Sequence, residues 1–255
     1  MKGVLLFAFN TDTVNYYEMA VSTAKRVNHF LDLPVSIVTN QESITGNYKF
    51  DNVILTSAQT ENSKENKPWY NKGRYRAYDL TPYEETILLD TDYLVNSDKL
   101  LKVFDFYDDF CCHDTTSYLL QPNVEQEYLS QYSYKTLWAT VIVFRKTQRT
   151  KQIFECLQMV QENYSHYENI HKFLNNTYRN DYGLTLALRI VNGHSTNSQD
   201  IIPWNLIHAE SNTQVISNTN TEYNTEYTIL RDKSYIIVKD CDFHMMNKEN
   251  FIEVV

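Results

Sequence analysis

The sequence has few glycines, and none of them is clustered. Its 255 residues contain five: Gly3, Gly46, Gly73, Gly183 and Gly193. A G-x-x-x-x-G-K phosphate loop and a G-x-G-x-x-G dinucleotide motif are therefore both absent. If this chain holds a nucleotide, something other than a glycine loop must neutralise the phosphates, and a metal ion could do so.

Basic residues are also in deficit. The 23 Lys and Arg residues face 32 Asp and Glu residues, which gives a formal net charge of -9. No basic tract stands out, which argues against non-specific nucleic-acid binding and against docking on anionic lipid. A local basic groove stays open as an alternative.

Cysteine spacing and apolar runs restrict the compartment that we expect. Cys111, Cys112, Cys156 and Cys241 form no C-x-x-C pair, which favours reduced thiols in a cytosolic protein. No apolar run is long enough to span a membrane. The apolar start of the chain lacks a small-residue cleavage site and is predicted to be a first strand, not a signal peptide. We therefore expect a cytoplasmic protein.

Periodicity predicts an α/β sheet that is mostly parallel. Residues 3–9, 34–39 and 52–56 are short apolar strands, and apolar residues recur at helical spacing over 14–31. Residues 10–13 have the side chains of a helix start. Strand, helix and strand at this spacing predict a βαβ unit.

The same criteria predict helices over 69–80, 99–106, 147–164 and 180–191, and strands over 86–90, 109–114, 137–144 and 235–238. Residues 57–68 are predicted to be a surface loop, 115–136 a long Tyr-rich loop, and 211–228 a hairpin or mobile loop. No linker divides the chain, so we expect one domain.

The most informative stretch is an apolar run that ends on two carboxylates, Asp90 and Asp92. Alternate residues of an extended chain point the same way, so both side chains can face one small volume. Two negative charges at such a short separation repel each other unless a cation lies between them, and a hard divalent ion is the usual one. The alternative is a polar turn, in which Asp is common.

Residues 78–95, YDLTPYEETILLDTDYLV, resemble the helix, turn and strand that lead into the D-x-D motif of GT-A glycosyltransferases. Within that class the order of parts is similar to the glycogenin-like and galactosyltransferase-like enzymes. Residues 138–144 resemble the acceptor-side strand, 180–184 the acidic helix start after it, and 243–248 the C-terminal histidine segment.

The resemblance implies a single GT-A-like domain over residues 1–255, with a mostly parallel central sheet flanked by helices. Residues 1–100 would form the nucleotide-sugar-binding half. Residues 101–255 would form the acceptor-side half and end in a segment with a metal ligand.

The resemblance also implies a metal site of Asp90, Asp92 and His244, with Asp90 also touching the ribose or sugar of the donor. The cofactor would be Mn²⁺ or Mg²⁺, and a histidine ligand favours Mn²⁺ because imidazole is a borderline base. For His244 the alternative is an ordinary surface or core histidine.

Donor-binding residues follow from the same comparison. Asn10, Thr11 and Asp12 would hold the base and ribose, although they could equally cap a helix. Tyr16 is a weaker candidate for stacking on the base.

Three further residues would contact the rest of the donor. Arg74 would face its phosphate or sugar, and the alternative for it is a solvated helix face shared with Lys72 and Arg76. Thr91 lies inside the D-x-D motif. Lys248 would reach a phosphate, but the Gly and Lys-Pro-Trp ending of the family is missing here.

Asp181 is the candidate catalytic residue, either as a general base toward the acceptor hydroxyl or as a group that orients the donor sugar. Its alternative is a helix N-cap. The Asn-Ser-Gly turn of the family is replaced by Trp138-Ala139-Thr140, so Trp138 would line a different sugar or acceptor pocket.

The predicted function is a metal-dependent hexosyl- or pentosyltransferase. It would move a sugar from a nucleotide sugar, with UDP-sugars as the first expectation, to a hydroxyl of a glycan, a protein or a modified DNA base. A DNA acceptor would need a basic groove, for which the candidates are Lys67, Lys72, Arg74, Lys135 and Lys146.

Two alternatives stay open, a sugar nucleotidyltransferase and a non-catalytic binding protein that keeps the fold. A nucleotidyltransferase would usually carry a Gly-rich loop after its first strand, which Asn10-Thr11-Asp12 does not resemble. The composition is in the style of a phage or bacterial enzyme, and the host cytoplasm would be the location if a phage encodes it.

Overall fold

The computed structural model describes residues 1–41, 48–56, 63–64, 67–68, 71–173, 177–221 and 223–255. Its strands, β1 to β16 in chain order, are Lys2–Ala8, Val35–Thr39, Asn52–Leu55, Ser63–Lys64, Lys67–Pro68, Glu85–Leu89, Tyr93–Leu94, Phe110–His113, Thr116–Tyr118, Gln121–Glu125, Trp138–Arg145, Leu206–Ala209, Gln214–Ser217, Glu226–Arg231, Ser234–Lys239 and Phe243–Met245. Its α-helices, α1 to α6, are Tyr16–Leu31, Ala77–Leu80, Gln148–Glu162, Tyr164–His171, Asn180–Val191 and Lys248–Val254. Stretches of 3-10 helix cover Asn71–Arg76, Lys99–Asp105 and Ser198–Asp200.

A six-stranded sheet in the order β3-β2-β1-β6-β11-β8 forms the centre of the fold. Strands β3, β2, β1 and β6 run parallel, and β11 is antiparallel to both of its neighbours, β6 and β8. The predicted α/β class with a mostly parallel central sheet is confirmed.

Alternation along β1 explains why helices cover both faces of this sheet. Val4 and Leu6 point to the face on which α1 packs, while Leu5 and Phe7 join the core formed with α3 and α5. A strand that is buried on both faces reads as a continuous apolar run, which is the pattern of residues 3–9.

A second sheet has the order β10-β9-β12-β16-β7, and β13, β14 and β15 form a third. Residues 90–92 connect β6 of the central sheet to β7 of the second. The D-x-D segment therefore lies where the two sheets meet. None of the helices in the described ranges is long and apolar enough to cross a membrane.

The helix predicted after β1 begins later than its capping residues suggest. Asn15 is the N-cap, and its side chain accepts from the amide of Glu18. The side chains of Asn10 and Thr11 instead accept from the amides of Tyr17 and Val14 and hold the turn that precedes the helix. The predicted end at Leu31 is confirmed.

Two other predicted helices are partly 3-10. The described part of 69–80 is 3-10 helix over Asn71–Arg76 before α2, and Trp69 and Tyr70 lie outside the described residues. The helix predicted over 99–106 is 3-10 over Lys99–Asp105. The Ser97 hydroxyl accepts from the Lys99 amide at the start of this 3-10 helix. It also donates to Asp242, in the segment before β16.

Two intervals without a local period contain strands, and the antiparallel pair of β13 and β14 confirms the hairpin alternative for residues 211–228. Residues 115–136 include β9 and β10, and 211–228 include β13 and the start of β14. The strand predicted over 235–238 is β15, and a further strand, β16, follows it. Strand β9 pairs with the distant strand β12, so pairing and not local propensity decides its structure, whereas β10 pairs with its neighbour β9. Of the predicted loop 57–68, the described pieces β4 and β5 pair with each other.

Candidate active site

The backbone of residues 90–92 is fixed from three sides. The Asp90 amide donates to the Thr140 carbonyl (3.0 Å), and the Met245 amide donates to the Asp92 carbonyl (2.9 Å). Thr23 of α1 donates its hydroxyl to the Thr91 carbonyl (2.7 Å). A helix and both sheets therefore hold this segment in place.

Asp90, Asp92 and His244 come together at this point. One ligand atom from each lies within 4.8 Å of the others. Asp92 is 4% exposed, and Nε2 of His244 is 3.3 Å from its Oδ2. His244 is brought here by β16, which pairs with β7 directly after the D-x-D segment. Two carboxylates and an imidazole at this separation form a donor set that suits a divalent metal ion.

Two cations flank the carboxylates. Arg74 is 3% exposed and donates from Nη1 to Oδ1 of Asp90. Its Nε and Nη2 are buried and have no hydrogen-bond partner among the described residues. Lys248, the first residue of α6, donates to Oδ2 of Asp92, and its Nζ lies 5.5 Å from the ring centre of Tyr16. Buried guanidinium N–H groups without a partner can serve an anionic ligand.

The charges set the protonation of this cluster. Burial raises the pKa of Asp92, but Lys248 and His244 outweigh it, so the pKa lies well below its usual range. Burial, opposed by Arg74 and reinforced by Asp92, raises the pKa of Asp90. Burial disfavours the imidazolium of His244, yet Asp92 and Asp90 raise its pKa. Asp92 is thus held ionised, as a metal ligand must be.

The residues predicted to hold the base and ribose follow β1 at the edge of the sheet where β6 also ends. The side chains of Asn10 and Thr11 make the capping bonds given above, and Asp12 is exposed. Thr91 is 4% exposed. Tyr16 is half-buried beside Lys248, and burial raises the pKa of its hydroxyl.

Asp181 lies in the first turn of α5, but the N-cap of that helix is Arg179. Its Oδ1 accepts from the Ala139 amide (2.9 Å), and its Oδ2 accepts from Arg179 (3.0 Å). The carbonyl of the next residue, Thr140, accepts from the backbone amide of Asp90, so adjacent residues of β11 hold the Asp181 carboxylate and the Asp90 backbone.

His208 is a residue of this site that sequence reasoning missed. It lies on β12 opposite His244, and the two Nδ1 atoms are 3.1 Å apart. Trp138, predicted to line a pocket, is 6% exposed, and its ring centre lies 5.1 Å from that of His208. No local signal identifies His208, because its strand is recognised only through its pairing.

Three of the candidates for the basic groove of a DNA acceptor make contacts within the protein. Lys135 pairs with Asp114 (2.8 Å), Lys146 donates to the Thr81 carbonyl (2.9 Å), and Arg74 faces Asp90. The side chains of Lys67 and Lys72 lie outside the described part of the chain.

No family model matches the sequence, and no curated protein matches it significantly. The fold is similar to solved glycosyltransferase structures at low identity. One is the glycosyltransferase GlyE of Streptococcus pneumoniae, at 12% identity and a TM-score of 0.41, with 75% of this chain and 43% of that chain covered.

The other two structures are covered over more of their length. The galactosyltransferase LgtC, solved with donor and acceptor sugar analogs, has 14% identity and a TM-score of 0.46, with 74% and 70% covered. Mouse xyloside xylosyltransferase 1 has 10% identity and a TM-score of 0.47, with 76% and 83% covered. This chain spans less than half the length of GlyE.

Proposed function

We propose that this protein is a metal-dependent glycosyltransferase that moves a sugar from a nucleotide-diphosphate sugar to an acceptor hydroxyl. The observation that carries the proposal is the convergence of Asp90, Asp92 and His244 at the end of the central strand β6. Asp90 and Asp92 come from one segment and His244 from another, distant in the sequence, and all three offer ligand atoms to one small volume.

In this proposal Asp92, Asp90 and His244 hold Mn²⁺ or Mg²⁺. When bound, the ion supplies the positive charge that neutralises a diphosphate, both in the complex and as the leaving group. The histidine favours Mn²⁺.

Arg74 and Lys248 act on the donor beside the ion. The buried Nε and Nη2 of Arg74 are free to donate to phosphate or sugar oxygens, while Nη1 keeps its bond to Asp90. Lys248 is close enough to Asp92 to reach the same phosphates from the other side. Two fixed cations would compensate the charge that develops on the leaving group.

The nucleoside would lie along the edge formed by Asn10, Thr11, Asp12 and Thr91, with Tyr16 close to its base. A UDP-sugar is the donor that we propose to test first. Capping of the α1 turn by Asn10 and Thr11 is compatible with this role, because each side-chain oxygen has a second lone pair.

Asp181 is the proposed catalytic residue, toward an acceptor hydroxyl or the donor sugar. Its attachment to Ala139, next to the residue that holds Asp90, supports this role. Trp138 would border the acceptor side. A glycan, a protein or a modified DNA base would each offer a suitable hydroxyl, and binding to DNA would have to weaken steeply with salt.

The experiment is thermal unfolding of the full chain with a panel of UDP-sugars, with and without Mn²⁺. We expect a UDP-sugar to raise the melting temperature only when Mn²⁺ is present, because binding to the native state stabilises it. Asp92→Asn should remove the shift. Asp79→Asn, which alters an exposed carboxylate on α2, should keep it.

The outcomes separate the rival functions. Release of UDP from the stabilising donor supports a transferase, whereas binding without turnover would indicate a non-catalytic protein. Release of pyrophosphate from a nucleoside triphosphate and a sugar phosphate would indicate a nucleotidyltransferase. The proposal fails if no nucleotide sugar shifts stability and Asp92→Asn changes nothing.

A further inference from the structure

We propose that His208 is a positioning residue that sets the tautomer and the ring orientation of His244, so that Nε2 of His244 can bind the metal ion. This inference rests on the proposed function, because it takes His244 as a metal ligand. It adds a residue that belongs to no sequence motif of the site.

His208 and His244 are in direct contact. His208 and His244 are register partners in the parallel pair β12 and β16, so their side chains lie on the same face of the second sheet. Their Nδ1 atoms are 3.1 Å apart, with the rings inclined at 65°. The other nitrogen of His244, Nε2, faces Asp92 at 3.3 Å. His244 is therefore held at both ends of its ring.

The side chain of His208 has little freedom to rotate. It is 1% exposed, and the rings of Trp138 and Tyr118 lie 5.1 Å and 5.7 Å from it. Its strand lies between β9 and β16 inside the sheet. A side chain that is packed in this way can define the orientation of its hydrogen-bond partner.

The protons on the two rings limit how His208 and His244 can form this hydrogen bond. A histidine that binds a metal ion is neutral, and in the neutral pair a hydrogen bond between two Nδ1 atoms needs a proton on one ring and a lone pair on the other. In one arrangement His208 donates, and His244 carries its own proton on Nε2 toward Asp92. In the other, His244 donates from Nδ1 to His208 and leaves a lone pair on Nε2. Only the second arrangement allows Nε2 to bind a cation.

His208 can support both arrangements, because an imidazole offers a donor at one nitrogen and an acceptor at the other. Its own Nε2 is buried and has no hydrogen-bond partner among the described residues, so no contact there fixes which nitrogen carries its proton. The pair can thus pass from the first arrangement to the second as the ion binds. The proton on each ring moves between its two nitrogens, and the net charge of the pair is unchanged.

The test measures Mn²⁺ affinity of the full chain from the free Mn²⁺ signal in electron paramagnetic resonance. The carboxamide of Asn occupies the position of Nδ1 of histidine, whereas that of Gln reaches the position of Nε2. We therefore expect His208→Gln to weaken Mn²⁺ binding by about 10- to 100-fold. His208→Asn should stay much closer to wild type.

His113 offers a matched control. It is a second fully buried histidine, on β8, and neither of its ring nitrogens has a partner among the described residues. His113→Asn should leave Mn²⁺ affinity at the wild-type value. A loss of affinity in all three variants alike would mean that any change to the buried histidines disturbs the site, and it would overturn the positioning role.

A spectroscopic readout does not depend on a variant that folds. Nitrogen-15 spectra of the histidine rings, recorded with and without Mg²⁺, report which nitrogen carries each proton. With Mg²⁺ we expect the His208 proton on Nε2 and the His244 proton on Nδ1. A His208 ring that still carries its proton on Nδ1 in the Mg²⁺-loaded protein would contradict the inference.

His244→Ala separates the two proposals. If this variant binds Mn²⁺ as tightly as wild type, His244 is not a metal ligand. The proposed metal role of His244 and the proposed positioning role of His208 are then both wrong. If His244→Ala loses Mn²⁺ while His208→Gln does not, the metal role stands and only the positioning role of His208 is overturned.

Discussion

Lys248 donates from its ammonium group to Oδ2 of Asp92. The same oxygen faces Nε2 of His244 at 3.3 Å. Lys248 therefore lies against one of the proposed metal ligands, and burial, which lowers its pKa, is outweighed by Asp92, which raises it above the usual range. A fixed ammonium at this position favours anions and opposes a second cation.

Replacing Lys248 should consequently have opposite effects on metal and donor. We expect Lys248→Met to tighten binding of Mn²⁺ alone about fivefold, because removing a nearby like charge is worth about 1 kcal/mol. The same variant should weaken binding of a UDP-sugar in the presence of Mn²⁺, since a phosphate contact is lost. Isothermal titration calorimetry measures both affinities.

Lys233→Met is the matched control for this prediction, because it removes an exposed lysine between β14 and β15. It should change neither affinity. Weaker binding of Mn²⁺ alone in Lys248→Met would show that the ammonium does not compete with the ion.

Arg74 should contribute to donor binding through the guanidinium nitrogens that do not contact Asp90. Its Nε and Nη2 have no hydrogen-bond partner among the described residues. A hydrogen bond from a charged group is worth about 1.5–3 kcal/mol. Arg74→Met should therefore weaken UDP-sugar binding about 10- to 100-fold. Arg74→Lys should not restore it, because an ammonium cannot reproduce the planar fork of a guanidinium.

Arg76→Met provides the comparison, since Arg76 lies two residues away and donates to Thr56 instead. It should bind the donor like wild type. Equal affinity in Arg74→Met and wild type, measured by the same calorimetry with Mn²⁺ present, would remove Arg74 from the donor site.

The site was predictable where local sequence decides local structure. The run before Asp90 predicted a buried strand, and β6 ends at Leu89. The spacing of Asp90 and Asp92 predicted that they share one volume, and their ligand atoms do lie together with one from His244. Burial along a strand is a local property, so a sequence carries it directly. The two carboxylates meet in a turn, in which the Tyr93 amide donates to the Asp90 carbonyl (3.2 Å), and not by alternation along an extended strand.

His208 could not be predicted, because its role depends on the pairing of two short strands. Strands β12 and β16 have four and three residues and no period of their own. Only their register places His208 opposite His244. The same reason explains why β9 was predicted to be loop: its pairing with the distant strand β12 overrides weak local propensity.

Asp181 can be tested by separating its two bonds from its chemistry. Asp181→Asn keeps an oxygen that can accept from the Ala139 amide, but it cannot act as a base. We expect UDP release from the donor to fall by about 100-fold or more, in line with the loss of a general base. Donor affinity and melting temperature should change little.

Thr185→Val is the control for a purely structural effect at this helix. Thr185 also connects α5 to the residue before β11, because its hydroxyl oxygen accepts a hydrogen bond from the Leu137 amide. If Asp181→Asn lowers the melting temperature as Thr185→Val does and leaves turnover intact, Asp181 is only an anchor of the helix.

The acid stability of the fold should depend on Glu85, the first residue of β6. Tyr107 donates to its Oε2 (2.9 Å), and Arg145 pairs with the same oxygen (3.1 Å). Burial raises the pKa of Glu85, but these partners outweigh it and lower the pKa below its usual value. A depressed carboxyl pKa contributes stability above the unfolded pKa of about 4.3 and loses it as pH falls through the folded value.

We expect Glu85→Gln to lower the free energy of unfolding by about 1 kcal/mol at pH 7, the size of a partly exposed ion pair with a hydrogen bond. The difference from wild type should begin to shrink as pH falls below the unfolded pKa of about 4.3 and should keep shrinking toward the depressed folded pKa. Urea unfolding at pH 7 and pH 3.5 measures it. Glu84→Gln, at the exposed neighbouring position, should match wild type at both pH values. A Glu85→Gln difference that is the same at both would mean that the carboxylate charge does not stabilise this end of β6.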